Sequence, residues 1–236
     1  MKLFVRWMYF KDLIPHFAKH YANFNIYAVV NNYDCEPGML ETLKEYNFNI
    51  LNVTDDYETV KDNVKKLKYY IKKIIKPKEW FVVADPDEFH EFPIPIHQII
   101  EYCEKNKIRC HKGKFVDRLA KDGSIPKIKP HVPIEEQFPI QCDTAKLHLG
   151  HVRGRNQIKV VLIKGPYFNS PHKHKNSCLH FPVKVHHYKW NNNSVSRLKH
   201  RAEMYKKHNI LCWEYSQAII DYLEKHQNKF PIKGLV

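Results

Sequence analysis

The chain has 236 residues, 43% hydrophobic and 13% aromatic, enough to bury the core of one α/β domain and too ordered a composition for a disordered protein. Its formal net charge of +14 favours polyanionic partners: nucleic acid, an anionic membrane face or nucleotide phosphates. Seven glycines, with no GxGxxG and no GxxxxGK[ST], argue against dinucleotide-binding and P-loop chemistry.

In chain order, Lys2–Met8 reads as a first buried strand. A helix is expected over about 12–23, with Asp12 as N-cap and Leu13, Phe17, His20 and Tyr21 on one face. Residues 24–30 (FNIYAVV) form a second apolar strand, followed by a helix at 37–46 and a strand at 48–53. Segment 57–76 is the clearest helix, since Val60, Val64, Leu67, Ile71 and Ile74 recur at spacings of four and three. Its lysines, 61, 65, 66, 68, 72 and 73, fall on the remaining faces and read as a solvated outer surface; Pro77 stops the helix. Trp80–Ala84 (WFVVA) suits a central strand covered on both sides. Strands alternating with helices over the first 90 residues imply a mostly parallel sheet wound as βαβ units.

Beyond residue 110 the pattern becomes irregular. Short strands at 113–117, 157–163 and 179–188 are separated by segments rich in proline and histidine. Helices at about 194–208, capped by Ser194, and 213–226 close the chain. No internal repeat is visible. The expected architecture is one α/β domain over 1–236: a mostly parallel sheet flanked by helices, then a mixed C-terminal extension. Residues 1–92 would form the ligand-binding half and 93–236 an elaboration of the same domain.

The N-terminal segment is interrupted by Arg6, Lys11 and Asp12, so neither a signal peptide nor a membrane anchor is expected there. No apolar run approaches the roughly 20 residues that span a bilayer. The six cysteines show no CxxC pair, which suits reduced thiols in a cytoplasmic protein.

Asp85, Asp87 and Glu88 follow directly on the apolar run at 80–84. Ligands of open parallel sheets gather outside the carboxyl ends of strands, so these carboxylates stand where a ligand is expected. In an extended segment, positions 85 and 87 would point to one side, with Pro86 stiffening their presentation. Two adjacent carboxylates repel unless a cation lies between them, and hard Mg²⁺ or Mn²⁺ suits such oxygen ligands. A helix-capping loop is the structural alternative.

The segment WFVVADPDEF resembles the strand-plus-DxDEF signature of family-2-like GT-A glycosyltransferases, including forms encoded by large DNA viruses. GKFVDRLAKDG (113–123) resembles the later strand of that family that carries an Asp-Arg pair. VHHYKWNNNSVSRLKHR (185–201) resembles its C-terminal H-Y-K-W element and basic helix. The resemblance implies a GT-A-like, Rossmann-like fold and a nucleotide-sugar donor, with a UDP-sugar favoured. It further implies a glycan or glycoprotein acceptor, and Mn²⁺ or Mg²⁺ bridging Asp87 and the diphosphate. Asp85, Asp87 and His187 are its metal candidates, with His186 second to His187; alternation along 183–188 sends these two histidines to opposite faces.

The remaining site candidates follow from chemistry. Breaking a sugar–diphosphate bond leaves negative charge on the leaving group, which a metal and nearby cations stabilise; Lys189, Arg197 and Arg201 are the cations considered. Inverting transfer, itself implied by the resemblance, needs a base for the acceptor hydroxyl: Asp117 is the first candidate and Asp143 the second. Arg118 could instead neutralise Asp117 in a salt bridge. Arg6, Asn32, Asp34 and Asp56, at strand ends, are candidates for base, ribose or phosphate contacts; such residues also serve as ordinary turn formers.

Seven of the sixteen histidines fall between 148 and 187, but their spacing with Cys178 fits no standard zinc pattern. His172 and His174 are candidates for phosphate or acceptor contacts. Two other classes account for parts of the sequence. A basic nucleic-acid-binding protein or metal-dependent nuclease would use the charge and the acidic site, though no nucleic-acid motif is present and specific binding is not expected. A non-catalytic GT-A scaffold would have no need of the acidic tip.

Overall fold

A computed structural model describes residues 1–33, 35–144, 158–168, 174, 176–210 and 213–233. The chain divides into two compact units. The first comprises Met1–Phe115 and Gln157–His186; the second comprises Val116–Asn156 and His187–Val236.

The first unit begins as the βαβ winding expected from the sequence. Its strands are β1 (Lys2–Trp7), β2 (Asn25–Asn31), β3 (Asn49–Thr54) and β4 (Trp80–Ala84), with helices α1 (Ile14–His20), α2 (Met39–Glu45) and α3 (Val60–Ile74) between them. β1 pairs in parallel with both β2 and β4, and β2 with β3. The chain then forms β5 (Glu88–Glu91), α4 (Ile96–Lys105) and β6 (Cys110–Leu119). β8 (Ile158–Lys164) and β9 (Ser177–His187) return later, after α5 (Ile134–Gln137) and β7 (Ile140–Cys142). The strand order is β3-β2-β1-β4-β8-β6-β9-β5, with β7 paired to β6. β8 runs antiparallel to both β4 and β6, so a Rossmann-like parallel half continues into a mixed half. The fold class is thus the expected α/β one.

Side-chain alternation sorts the two faces of this sheet. Phe4, Val29, Phe81 and Val83 pack under Leu67 and Ile71 of α3. Trp7 turns the other way and meets Phe17 of α1 and Phe48 edge-on. Arg6, two residues after Phe4, therefore shares the α3 face. All five residues of β4 are buried, as its composition demands. α3 starts at a capping box in which the Thr59 hydroxyl accepts from the Asp62 N–H and the Asp62 carboxylate accepts from the Thr59 N–H. Lys65, Lys72 and Lys73 on its outer face are exposed, the solvated surface expected of them.

Several local expectations are corrected. The first helix is shorter than 12–23: Phe10 is left-handed at φ 57°, residues 11–13 make a 3₁₀ turn, and Asp12 provides no cap. His20 is exposed on that helix, and its Nε2 lies 3.1 Å from the His90 carbonyl. Ser194 does not cap the helix that follows it. Its hydroxyl accepts from the Asn191 N–H and donates to the Lys189 carbonyl, while Asn193 holds the cap position. α4, β5, α5 and β7 were not anticipated. For α4 the signal was present, since Ile96, Ile99 and Cys103 lie at helical spacing just after Pro95.

The second unit contains the end of β6, β7, the end of β9, α6 (Ser194–Lys207) and α7 (Trp213–Lys225). Trp190, Leu198, Ile219, Ile220, Leu223 and Phe230 form its core. Gly123, at φ +75°, lets the chain approach Phe230: a Cβ there would sit 2.0 Å from the Phe230 carbonyl oxygen. No helix among the described residues is long and apolar enough to cross a membrane.

Candidate functional site

In the first unit, β1 connects outward to β2 and β3, whereas the chain later crosses to β4 on the other side of β1. The carboxyl ends of β1 and β4 therefore flank a topological switch point, where α/β sheets bind ligands. Arg6 near the end of β1 and Asp85 just past β4 meet there, Nη2 donating to Oδ1 at 2.6 Å.

The segment after β4 is a turn, not the extended run expected from the sequence. The Glu88 N–H donates to the Asp85 carbonyl at 3.0 Å and the Asp85 N–H donates to Glu88 Oε2 at 3.0 Å. Alternation consequently does not govern residues 85 and 87. The turn reverses the chain into β5 and encloses Glu88 with Asp85.

The antiparallel register of β4 and β8 explains a third partner. Trp80 faces Lys164 and Val82 faces Leu162, so continuing the ladder brings Lys159 opposite Asp85. Lys159 is 1% exposed; its ammonium donates to Asp85 Oδ2 at 2.5 Å and to Glu88 Oε1 at 2.6 Å. Burial opposes the charge on Asp85, but Arg6 and Lys159 outweigh it and hold the carboxyl far below the usual carboxylate range. Burial likewise opposes the charge on Lys159, and Asp85 and Glu88 more than compensate, so its pKa is raised. Arg6 is raised in the same sense, burial being overcome first by Asp85.

Each oxygen of Asp85 and of Glu88 thus carries a donor. Asp87, 8% exposed, is the tip carboxylate to which Arg6 and Lys159 do not bond; Arg6 feels it only through space. Among the described residues, no group of three or more His, Cys, Asp or Glu side chains is arranged to hold a metal ion. With both of its oxygens bonded to cations, Asp85 is poorly placed to hold Mg²⁺ or Mn²⁺; of the metal candidates after β4, Asp87 is the one to which Arg6 and Lys159 do not bond.

In the second unit, Asp117 near the end of β6 is 1% exposed. Its Oδ2 accepts from the Thr144 N–H at 3.1 Å and the Thr144 hydroxyl at 2.6 Å, and its Oδ1 lies 2.8 Å from His187 Nδ1. Arg118 does not neutralise it: the guanidinium donates to the Phe138 carbonyl at 2.8 Å and lies over the Tyr188 ring. Asp143, the other candidate base, is half-buried. His186 belongs to the first unit, where its Nε2 meets Glu91 Oε2 at 2.7 Å, so the adjacent histidines have separate partners.

The other candidates are dispersed. Asn32 donates to Asp55 in an exposed pair at 3.0 Å, and Asp56 is exposed in the loop before α3. Lys189 lies over Trp190, and Arg197 donates to the Lys189 carbonyl. Arg201 ties α6 to α7 through the Ser216 hydroxyl at 2.8 Å. His174 meets the Tyr167 carbonyl at 3.0 Å. Asp34, His148, His151 and His172 lie outside the described residues.

Sequence reasoning missed Lys159 and Thr144. Lys159 left one trace, a lysine inside the otherwise apolar run IKVVLI, and Thr144 left none.

No family model matches the chain, and no curated protein matches it. Among solved structures, one similar chain is CMP:2-keto-3-deoxy-manno-octonic acid synthetase complexed with CTP. It has a TM-score of 0.33 and 9% identity, over 50% of this chain and 53% of that one. Another is 4-diphosphocytidyl-2C-methyl-D-erythritol synthase, with a TM-score of 0.31 and 9% identity over 69% and 74% of the two chains. This chain therefore spans about half the length of the first. The fold class stated above rests on strand order and pairing alone.

Proposed function

We propose that the chain is a metal-dependent glycosyltransferase that uses a nucleotide-sugar donor, a UDP-sugar by preference, and a glycan or other hydroxyl acceptor. The observation that carries this reading is the constellation of Arg6, Asp85, Glu88 and Lys159 at the switch point between β1 and β4, with Asp87 at its tip.

Arg6 and Lys159 are matched there by Asp85 and Glu88, and Asp87 stands at the tip of the same turn. Three uncompensated carboxylates would repel a diphosphate strongly; pairing two of them with cations reduces that repulsion. Asp87 would hold Mn²⁺ or Mg²⁺ against the donor diphosphate. Such an ion, when bound, acts as a Lewis acid toward the charge that develops on the leaving diphosphate. Arg6 and Lys159 fix Asp85 and Glu88, so the turn that presents Asp87 is preorganised before any ligand arrives. Asp85 is then a strut of the site and not a ligand. Of the two candidate bases, Asp143 is the more exposed, while Asp117 is enclosed by three hydrogen-bonding groups.

A thermal-shift panel of nucleotide sugars with and without Mn²⁺ tests the reading. A ligand of the native state at a hundredfold excess over its Kd stabilises by about 2.7 kcal/mol. The expected result is a metal-dependent shift with a UDP-sugar that Asp87→Asn suppresses, together with slow donor hydrolysis lost in the same variant. No shift with any sugar nucleotide in the presence of Mn²⁺ would refute it.

A further inference from the structure

Three cysteines of the first unit come together where α4, β6 and β9 meet. Cys103 and Cys110 are buried and Cys178 is half-buried, all as free thiols. Contacts on either side of Cys178 place it. Before it, Asn176 donates from Nδ2 to the Lys107 carbonyl at 2.8 Å, and the Asn176 carbonyl accepts from the Arg109 N–H at 3.2 Å. After it, the His180 ring stacks on Tyr102 with centroids 4.5 Å apart. Residues two apart in a strand share a face, so Cys178 points as His180 does, toward the end of α4. There the residue after Tyr102 is Cys103, whose carbonyl accepts from the Ile108 N–H at 2.8 Å as the helix closes.

The three thiols differ in partner and in access. Cys103 and Cys178 interact directly through their sulfurs, whereas Cys110 feels the other two only through space and turns its Sγ to the His111 carbonyl at 3.8 Å. Burial first, then Cys178, pushes the Cys103 thiol up to about 12, and burial pushes Cys110 up to about 12 as well. Both stay protonated and shielded near neutral pH. Cys178, with more of its surface open, is where a reagent enters.

We propose that Cys178 and Cys103 form a thiol–disulfide modification site whose co-reactant is a low-molecular-weight disulfide such as oxidised glutathione. The Cys178 thiolate attacks one sulfur of the reagent, forming a mixed disulfide and releasing one glutathione. Cys103 then attacks Cys178 Sγ and expels the second glutathione, which leaves with the proton that Cys103 gives up. Two protein thiols lose two electrons, and one glutathione disulfide is reduced to two glutathiones. Excess thiol runs the same steps backwards. The bridge ties α4 to β9, and it is independent of the transfer chemistry proposed above.

The test incubates the native full chain with oxidised glutathione, blocks the remaining thiols and maps tryptic peptides by mass spectrometry. Lys105, Lys107 and Arg109 separate Cys103 from Cys110 on digestion, so the two possible partners of Cys178 are distinguished. The expected product is a Cys103–Cys178 linked peptide that dithiothreitol abolishes. Before oxidation, brief alkylation of the native chain should label Cys178 at least about tenfold faster than Cys103 or Cys110, as burial and thiolate character dictate. Cys103→Ser should halt the reaction at a glutathione adduct of Cys178, and Cys178→Ser should leave Cys103 unmodified. A Cys110–Cys178 bridge would overturn the proposal, and so would Cys103 and Cys178 both remaining free thiols after the reagent. Equal alkylation of the three thiols would overturn it too. The wild-type maps need no variant, so a poorly folding substitution leaves the proposal open to refutation.

Discussion

The two units each bury acidic side chains, and they stabilise them by different means. In the first, Asp85 and Glu88 are neutralised by Arg6 and by a lysine that is itself enclosed. In the second, Asp117 is satisfied by a threonine and an imidazole. Cations that stay charged near neutral pH fix a carboxylate in place as long as it remains ionised. Neutral donors keep its charge available to act on a neighbour, here the ring of His187. The first arrangement suits a rigid support, and the second suits a group that tunes another.

The largest expected effect breaks the first arrangement. Lys159→Met leaves buried Glu88 without its cation beside the half-buried Asp85 and should cost about 3–5 kcal/mol in urea unfolding. In the wild type, the lowered pKa of Asp85 gives stability that is present above the unfolded-state value near 3.9 and lost only as pH falls through the lower folded value. An acid midpoint unchanged by Lys159→Met would contradict the role assigned to that lysine. A smaller loss is expected for Thr144→Val, which removes one neutral donor from an ionised acceptor and should cost about 1.5–3 kcal/mol. If the two variants cost the same, the contrast between the units is not one of charge.

The smallest effect sharpens the picture around Lys159. His90 in β5 is 3% exposed and neither of its ring nitrogens has a hydrogen-bond partner. Burial first, then the charges of His20 and Lys159, push its pKa well below the ordinary 6.5. The folded protein therefore keeps it neutral while the unfolded chain takes up a proton, so stability falls as pH drops below about 6.5. One proton contributes a slope of at most about 1.4 kcal/mol per pH unit. His90→Leu should flatten the wild-type decline between pH 7 and 5, measured by denaturant unfolding. An unaltered slope would mean that His90 protonates in the fold.

The first half of the fold was legible because its signals are local. Trp80–Ala84 is uniformly apolar, and α3 shows its heptad-like spacing before a proline. The acidic tip was located by the rule that ligands sit beyond strand ends. What stayed hidden depends on pairing between distant residues. Lys159 meets Asp85 across 74 positions and His187 meets Asp117 across 70. Each contact follows from strand order and register, which a linear pattern does not contain. The turn at residues 85–88 was misread as extended because DPDEF reads equally as a strand end or a reversal. The bond between Glu88 N–H and the Asp85 carbonyl decides it.

The discontinuity of the first unit bears on biosynthesis. β4 is apolar, fully buried when complete, and covered on one side only by β8. A chain emerging from the ribosome finishes Ala84 long before Ile158. During that interval the nascent sheet carries an unmatched row of backbone donors and acceptors, the kind of border that recruits a second chain. Lys159 is the second residue of the strand that closes it, so edge protection and neutralisation of the acidic turn arrive in the same stretch of synthesis.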